Sequence, residues 1–165
     1  MRRLTVTHEI ACTPARFWEL YLDSEFTRAL IVEGLGFAGC EFLRRDETEK
    51  EVLREMTAQP RIELPEAVAR LVGNRLSYRE VGRFAKDAQT WTFDTILGVM
   101  ADKIKMGGTM RSSALGEDRC RRQADLWVDV NLFGVAGIIE RAAESSLRRG
   151  WDDSARWINQ WLTRA

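Results

Sequence analysis

The sequence is poor in the residue types that build metal centres and disulfide frameworks. Its 165 residues include one histidine and three cysteines. Cys12, Cys40 and Cys120 are odd in number, lie far apart and form no CxxC pair, whereas metal sites need clustered thiolate or imidazole ligands. We therefore expect reduced cysteines and neither a metal ion nor another cofactor. Such cysteine usage is typical of the cytoplasm.

Long apolar runs and an excess of one charge are also missing. No stretch approaches the length of a membrane-spanning helix, and residues 1–4 lead into an alternating pattern rather than into a signal peptide. Lysine plus arginine and aspartate plus glutamate number 25 each. Nucleic acids and anionic bilayers attract proteins through unbalanced positive charge. We therefore expect a cytoplasmic protein with no nucleic-acid partner and no integral membrane association.

The N-terminal part of the chain predicts a strand and two short helices. Apolar residues alternate with polar ones between Leu4 and Ile10, as on a strand with one buried face. Thr13 and Pro14 predict a helix start, because a threonine side chain caps free amides and proline fits the first helical turn. A second helix is predicted to begin at Ser24.

From residue 37 onward the pattern is typical of antiparallel strands separated by turn residues. Six strands are predicted, at Phe37–Arg45, Glu49–Ala58, Leu76–Phe84, Gln89–Leu97, Asp102–Ser112 and Arg119–Leu132. Residues 46–48 predict a hairpin turn, and the segment between Pro65 and Gly73 predicts a short helix or a wide connection. No repeat or linker interrupts this order, so we expect a single domain, 1–165.

The segment from Gly134 to Ala165 predicts one long amphipathic helix. Its apolar residues recur at three- and four-residue steps: Val135, Ile138, Ile139, Ala142, Ala143, Leu147, Trp151, Ile158, Trp161 and Leu162. Such a stripe needs an apolar surface to cover it. The predicted architecture is α+β: a seven-stranded antiparallel sheet wrapped around the C-terminal helix, with two short helices between strands one and two.

Several local sequences strengthen this reading. They are Thr7-His8-Glu9 in strand one, Trp18 in the first helix, Gly108 to Arg111 in strand six, and the ending Ala155 to Leu162. With the element order, they make the chain similar to the START-like (SRPBCC, helix-grip) superfamily, and to an uncharacterised bacterial family within it. The resemblance implies a hydrophobic cavity between sheet and helix. The sequence departs from the oxygenase branch, whose iron is bound by two histidines and a carboxylate, because His8 is the only histidine in the chain.

The resemblance implies that certain strand faces line the cavity, and the residues on those faces are candidate ligand contacts. They are His8, Tyr78, Trp91, Phe93, Met106, Gly108 and Met110. Aromatic and methionine side chains suit an apolar pocket, and Gly108 leaves room in it. The same residues also suit a plain core, and the Gly107-Gly108 pair also suits a bulge that curves the sheet. His8 is either a ligand-binding group or a buried histidine that bonds to protein groups.

Three charged residues share the phase of apolar neighbours in their strands. Arg54, Glu80 and Arg122 would form a polar ligand anchor if they all pointed inward. Buried charges are rare unless paired. We therefore expect these side chains to lie near strand ends or bulges and to reach water.

Three functional hypotheses follow from the sequence and the resemblance. The first is a carrier or sensor that binds a hydrophobic small molecule or lipid in the cavity, without catalysis. The second is an enzyme of the cyclase, aromatase or hydratase type that uses His8 as its acid or base. The third is a protein-interaction module whose cavity is filled by side chains.

Overall fold

The computed structural model describes residues 1–73 and 76–164, and it contains seven strands in one antiparallel sheet. The strands are β1 (Arg2–Ile10), β2 (Gly39–Glu47), β3 (Glu51–Gln59), β4 (Tyr78–Ala85), β5 (Thr90–Leu97), β6 (Ile104–Ala114) and β7 (Cys120–Val130). The α-helices are α1 (Pro14–Leu22), α2 (Ser24–Ala29), α3 (Glu66–Val72) and α4 (Ala136–Arg164). The predicted architecture is confirmed. Ala165, the last residue of the predicted helix, lies outside the described residues.

The strand order is β1-β7-β6-β5-β4-β3-β2, so that β1 and β2 form the two edges. The alternative of a bulge at the glycine pair is not what the structure has, because Gly107 and Gly108 stay in register with both neighbouring strands. The register shift instead falls in β2, between Phe42 and Arg44. A bulge there increases the local twist of the edge strand.

Side-chain caps and glycines set the helix ends. The Thr13 side chain accepts a hydrogen bond from the amide of Arg16, as predicted, whereas α2 is capped by Asp23. A π-helical turn at Leu30–Gly34 continues α2. The long helix α4 begins at Ala136, two residues later than predicted, because Gly134 has a φ of 78° and its backbone is left-handed.

The first hairpin turn lies later than the sequence predicted. Strand β2 extends through Glu47, and the turn is formed by residues 48–50. The Thr48 hydroxyl accepts hydrogen bonds from the amides of Lys50 and Glu51. Because the Thr48 side chain bonds to amides that follow it in the chain, the turn consists of Thr48 and the next two residues rather than of residues 46–48.

Helices α1 and α4 cover different parts of the concave face. Phe17 and Trp18 of α1 pack on the middle strands, where Trp18 and Phe84 have ring centroids 4.5 Å apart. Helix α4 packs along β1 and β7. Its apolar stripe is only partly as predicted, because Ile158 is buried but Ile138 is 42% exposed. No helix among the described residues combines the length and the apolarity needed to span a bilayer.

The two isoleucines of α4 give a matched test of this packing. We expect Ile158→Ala to lower the free energy of unfolding by about 2–5 kcal/mol, because it leaves a cavity under the helix. Ile138→Ala should change it by about 0.5 kcal/mol or less, as is usual at exposed sites. Denaturant titration of both variants measures the difference. Equal losses would contradict the observed orientation of α4.

Candidate functional site

Three charged side chains are buried on the concave face of the sheet. Arg54 is 2% exposed, Glu80 9% and Arg122 1%. The expectation that they reach water is therefore wrong. Their strands keep regular register at these positions, so that no bulge turns the side chains outward. Burial of a charge is costly without compensation, so each of these side chains requires partners in the interior.

Arg54 lies in a cage of aromatic rings. Its guanidinium carbon is 4.6 Å from the ring centroid of Trp91 and 4.9 Å from that of Tyr21. Its Nη1 donates hydrogen bonds to the carbonyl oxygen of Tyr21, at 2.6 Å, and to the hydroxyl of Thr27, at 3.3 Å. Cation–π contacts are strongest where water is excluded. The rings and the two bonds together fix the orientation of the guanidinium.

The other side of this guanidinium faces Glu80 without a direct hydrogen bond. Arg54 Nη2 and Glu80 Oε1 are 3.7 Å apart. Both atoms, and Arg54 Nε, are buried and have no hydrogen-bond partner among the described residues. Burial raises the pKa of Glu80, and the charge of Arg54 opposes that rise. Buried polar atoms nearly always have hydrogen-bond partners, so a further polar group is expected to bond to this cluster.

Gly82 explains how Trp91 fits beneath Arg54. It pairs with Arg54 on β3 and with Phe93 on β5. A Cβ atom at Gly82 would lie 1.8 Å from the ring of Trp91. The indole therefore occupies the place of a side chain at residue 82 and provides the ring on which Arg54 stacks.

Alanine at two glycines separates the effect of this contact from that of helix propensity. Gly82→Ala should lower the free energy of unfolding by about 1–3 kcal/mol, because it displaces the Trp91 ring in a packed core. Gly150→Ala should instead raise it by about 0.5–1 kcal/mol, since Gly150 lies in α4 with nothing within 4 Å of the added atom. Thermal and denaturant unfolding measure both. A neutral Gly82→Ala would contradict the close Trp91 contact.

A second buried network joins α4 to β1 and β7. Arg122 donates to the hydroxyl of Ser154 at 2.9 Å and to the carbonyl oxygen of Trp151 at 2.8 Å. Its Nη2 also lies 3.0 Å from Nδ1 of His8. The Nε2 atom of His8 is 2.7 Å from a carboxylate oxygen of Asp152. The network therefore connects three elements through side chains in the interior.

The partners of His8 determine its tautomer. Arginine only donates hydrogen bonds, so Nδ1 accepts from Arg122 and the proton lies on Nε2, which donates to Asp152. Burial, together with the charge of Arg122, lowers the pKa of His8, although Asp152 opposes this. Burial also lowers the pKa of Arg122 to about 10, which leaves it protonated at neutral pH. Both ring nitrogens of His8 are thus engaged, Nε2 with Asp152 of α4 and Nδ1 with Arg122 of β7.

The lowered pKa of His8 predicts how stability depends on pH. Because the unfolded chain binds the His8 proton more readily than the folded chain, stability should fall as pH drops below about 6.5 and through the folded-state pKa. In His8→Gln this contribution should disappear. The difference in unfolding free energy between wild type and His8→Gln, measured from about pH 8 to pH 5, tests it. A difference independent of pH would contradict the network.

One strip of the concave face remains incompletely covered. Glu80, Thr95 and Met106 are cross-strand neighbours on β4, β5 and β6. Glu80 and Thr95 each keep 9% exposure, and Met106 is half-buried. Phe93 in the neighbouring row has the same 9% exposure, and Tyr78 on the other side is half-buried. We call the strip of Glu80, Thr95 and Met106 the concave groove.

Apolar side chains from the sheet and from α4 border the concave groove. Tyr78, Met106 and Leu147 of α4 pack against the same hydrophobic cluster. The rings of Phe93 and Trp151 are stacked with centroids 6.4 Å apart. The groove thus combines aromatic, methionine and leucine surface with the unpartnered polar atoms of Arg54 and Glu80. This composition is typical of sites for small molecules.

The residues predicted as ligand contacts fall in three places. Tyr78, Phe93 and Met106 border the concave groove, whereas Trp91 and Met110 are fully buried beside it. His8 belongs to the Arg122 network. Ligand contact by these residues stays a prediction.

Gly108 does not leave open space as predicted. A Cβ atom there would lie 2.7 Å from a Leu126 methyl carbon and 3.2 Å from the Phe93 ring. The neighbouring side chains already occupy the room that the missing side chain provides. Gly108 therefore allows close packing, and its role as a ligand contact stays a prediction.

Two open surface grooves lie elsewhere on the molecule. One, of about 450 Å³, runs over the outer face of the sheet beside Trp127, Asp94 and Asp125. The other, of about 440 Å³, lies beside Leu20, Phe26 and Trp161. Neither is lined by the unpartnered atoms of Arg54 and Glu80. We regard the concave groove as the candidate site because of its buried polar groups, whereas these two open volumes lie elsewhere.

The chain has a START-like helix-grip fold, and solved structures agree. The chain resembles a Thermus thermophilus protein, with 12% identity and a TM-score of 0.70; the match covers 96% of this chain and 95% of the Thermus chain. It resembles the ZhuI aromatase/cyclase from a Streptomyces species over 99% and 94%, with 13% identity and a TM-score of 0.70. It also resembles a START superfamily protein from Mycobacterium smegmatis over 97% and 98%, with 14% identity and a TM-score of 0.67.

The sequence profile of one family matches residues 5–162. The chain belongs to this family, which is described as a protein of unknown function, DUF2505. No curated protein sequence matches the chain. The structural relatives are too distant in sequence to assign more than the fold, so the function has to be argued from the groove itself.

Proposed function

We propose that the protein binds a small, mostly apolar molecule in the concave groove. The observation that carries this proposal is the Arg54–Glu80 cluster, whose Nε, Nη2 and Oε1 atoms are buried without hydrogen-bond partners among the described residues. Glu80 lies beside Thr95 and Met106 in the strip. A bound molecule with one polar group bonds to Nη2 and Oε1 and covers the strip.

The groove divides affinity and selectivity between two kinds of surface. Burial of apolar ligand surface against Tyr78, Phe93 and Met106 contributes about 25 cal/mol per Å². The polar atoms contribute little net affinity but strongly disfavour ligands that leave them unpaired. This division suits a carrier or sensor, and the named relatives include a START superfamily protein and an aromatase/cyclase.

The observed hydrogen bonds favour binding over the two other hypotheses. An enzyme that uses His8 as acid or base needs a free ring nitrogen, and Arg122 and Asp152 engage both. A module whose cavity is filled by side chains binds no small molecule, and the Arg54 and Glu80 atoms without hydrogen-bond partners in the described part of the chain support binding instead. Aromatic rings of α1 fill the half of the concave face near Trp91.

Tryptophan substitutions on adjacent residues of β6 test the groove directly. Nile red, a neutral dye that fluoresces in apolar surroundings, serves as the probe. Met106→Trp should weaken its binding at least about tenfold, because the indole removes on the order of 60 Å² of ligand contact. Lys105→Trp, on the opposite face of the same strand, should leave binding unchanged.

Circular dichroism and thermal unfolding first establish that both variants are folded. Equal affinities for wild type and Met106→Trp would contradict binding in the concave groove. Weaker binding by Lys105→Trp alone would place the dye on the outer face of the sheet instead.

A further inference from the structure

We infer that the preferred ligand presents a neutral hydroxyl group, as in a phenol, an enol or an alcohol, to Arg54 and Glu80. This inference rests on the proposed function. It concerns which polar group the groove selects, and it follows from the separation, the chemistry and the charge of the two side chains.

The separation of the two side chains suits one bridging oxygen. Arg54 Nη2 and Glu80 Oε1 are 3.7 Å apart, beyond a hydrogen bond. Both atoms are closed to solvent, so the side chains around the pair must move apart when a ligand binds. An oxygen atom beside the gap then lies about 2.8 Å from both atoms, the usual length of a hydrogen bond. It then accepts from Nη2 and donates to Oε1. Among common oxygen groups, a hydroxyl both donates and accepts through the same atom.

Other polar groups leave one of the two partners unsatisfied. A ketone or an ether accepts from Arg54 but has no proton for Glu80, so the buried carboxylate oxygen stays unpaired. A carboxylate ligand places a second negative charge next to Glu80, and an ammonium ligand places a second positive charge next to Arg54. Both repulsions are strong in a site from which water is excluded.

The charges of the pair oppose each other. The charge of Arg54 counteracts the rise that burial causes in the pKa of Glu80, and with Glu80 ionised the cluster is neutral as a unit. The nearby phenol groups add no charge, because burial raises the pKa of Tyr21 to about 12 and raises that of Tyr78 as well. The aromatic cage and the bonds to Tyr21 and Thr27 prevent Arg54 from turning toward a different ligand group.

Three naphthalene derivatives of one shape test the inference. They are 2-naphthol, 2-methoxynaphthalene and 2-naphthoate, compared by calorimetric titration at about pH 7.5, where a phenol is neutral and a carboxylic acid is ionised. Wild type should bind 2-naphthol at least about tenfold more tightly than either of the others, as the satisfied hydrogen bond requires.

Glu80→Gln changes the charge of the cluster but hardly its shape. This variant should bind 2-naphthoate at least about tenfold more tightly than wild type does, because Arg54 is no longer neutralised. Glu55→Gln is the matched control. Its carboxylate also pairs with an arginine, Arg79 at 2.8 Å, but it lies on the opposite face of β3. It should leave the order of the three affinities unchanged.

The outcomes separate this inference from the proposed function. Equal binding of the three compounds by wild type overturns the inference and leaves binding in the groove intact. An unchanged order in folded Glu80→Gln also overturns it. If wild type binds neither Nile red nor any of the three compounds, the proposed function fails. The wild-type order decides the matter even if Glu80→Gln does not fold.

Discussion

The structure depends on how the guanidinium of Arg54 is accommodated in the interior. A charge at 2% exposure survives only with compensation. Tyr21 and Trp91 stack on it, the Tyr21 carbonyl and Thr27 accept from it, and Glu80 lies opposite in charge. These needs fix the position of α1 against the sheet and require a glycine at residue 82. They do not use every donor, and the proposed ligand bonds to one of the donors that remain.

The second buried arginine fixes the other wall of the groove. Arg122 bonds to His8 on β1 and to Ser154 and the Trp151 carbonyl on α4. It therefore holds α4 over β1 and β7. One arginine anchors α1 and the other anchors α4, so two separate networks position the helices over the concave face.

Much of the fold was predictable from sequence, because the strands and the long helix each follow from the local periodicity of apolar residues. Alternation located all seven strands, and the Thr13 cap marked the start of α1. The burial of Arg54, Glu80 and Arg122 was not predictable, although alternation had put all three on the inward face. Their compensation comes from residues distant in sequence, such as Tyr21 for Arg54 and Ser154 for Arg122. The alternation pattern was correct, but the general rarity of buried charges led to the wrong prediction that these side chains reach water.

A crystal structure of the protein with 2-naphthol bound tests the central claim most directly. We expect the naphthalene rings against Thr95 and Met106, with the hydroxyl oxygen about 2.8 Å from both Arg54 Nη2 and Glu80 Oε1. The helix α4 should keep its contacts with β1 through His8 and Arg122. Naphthol bound only beside Trp127 on the outer face, with the concave groove empty, would contradict the claim.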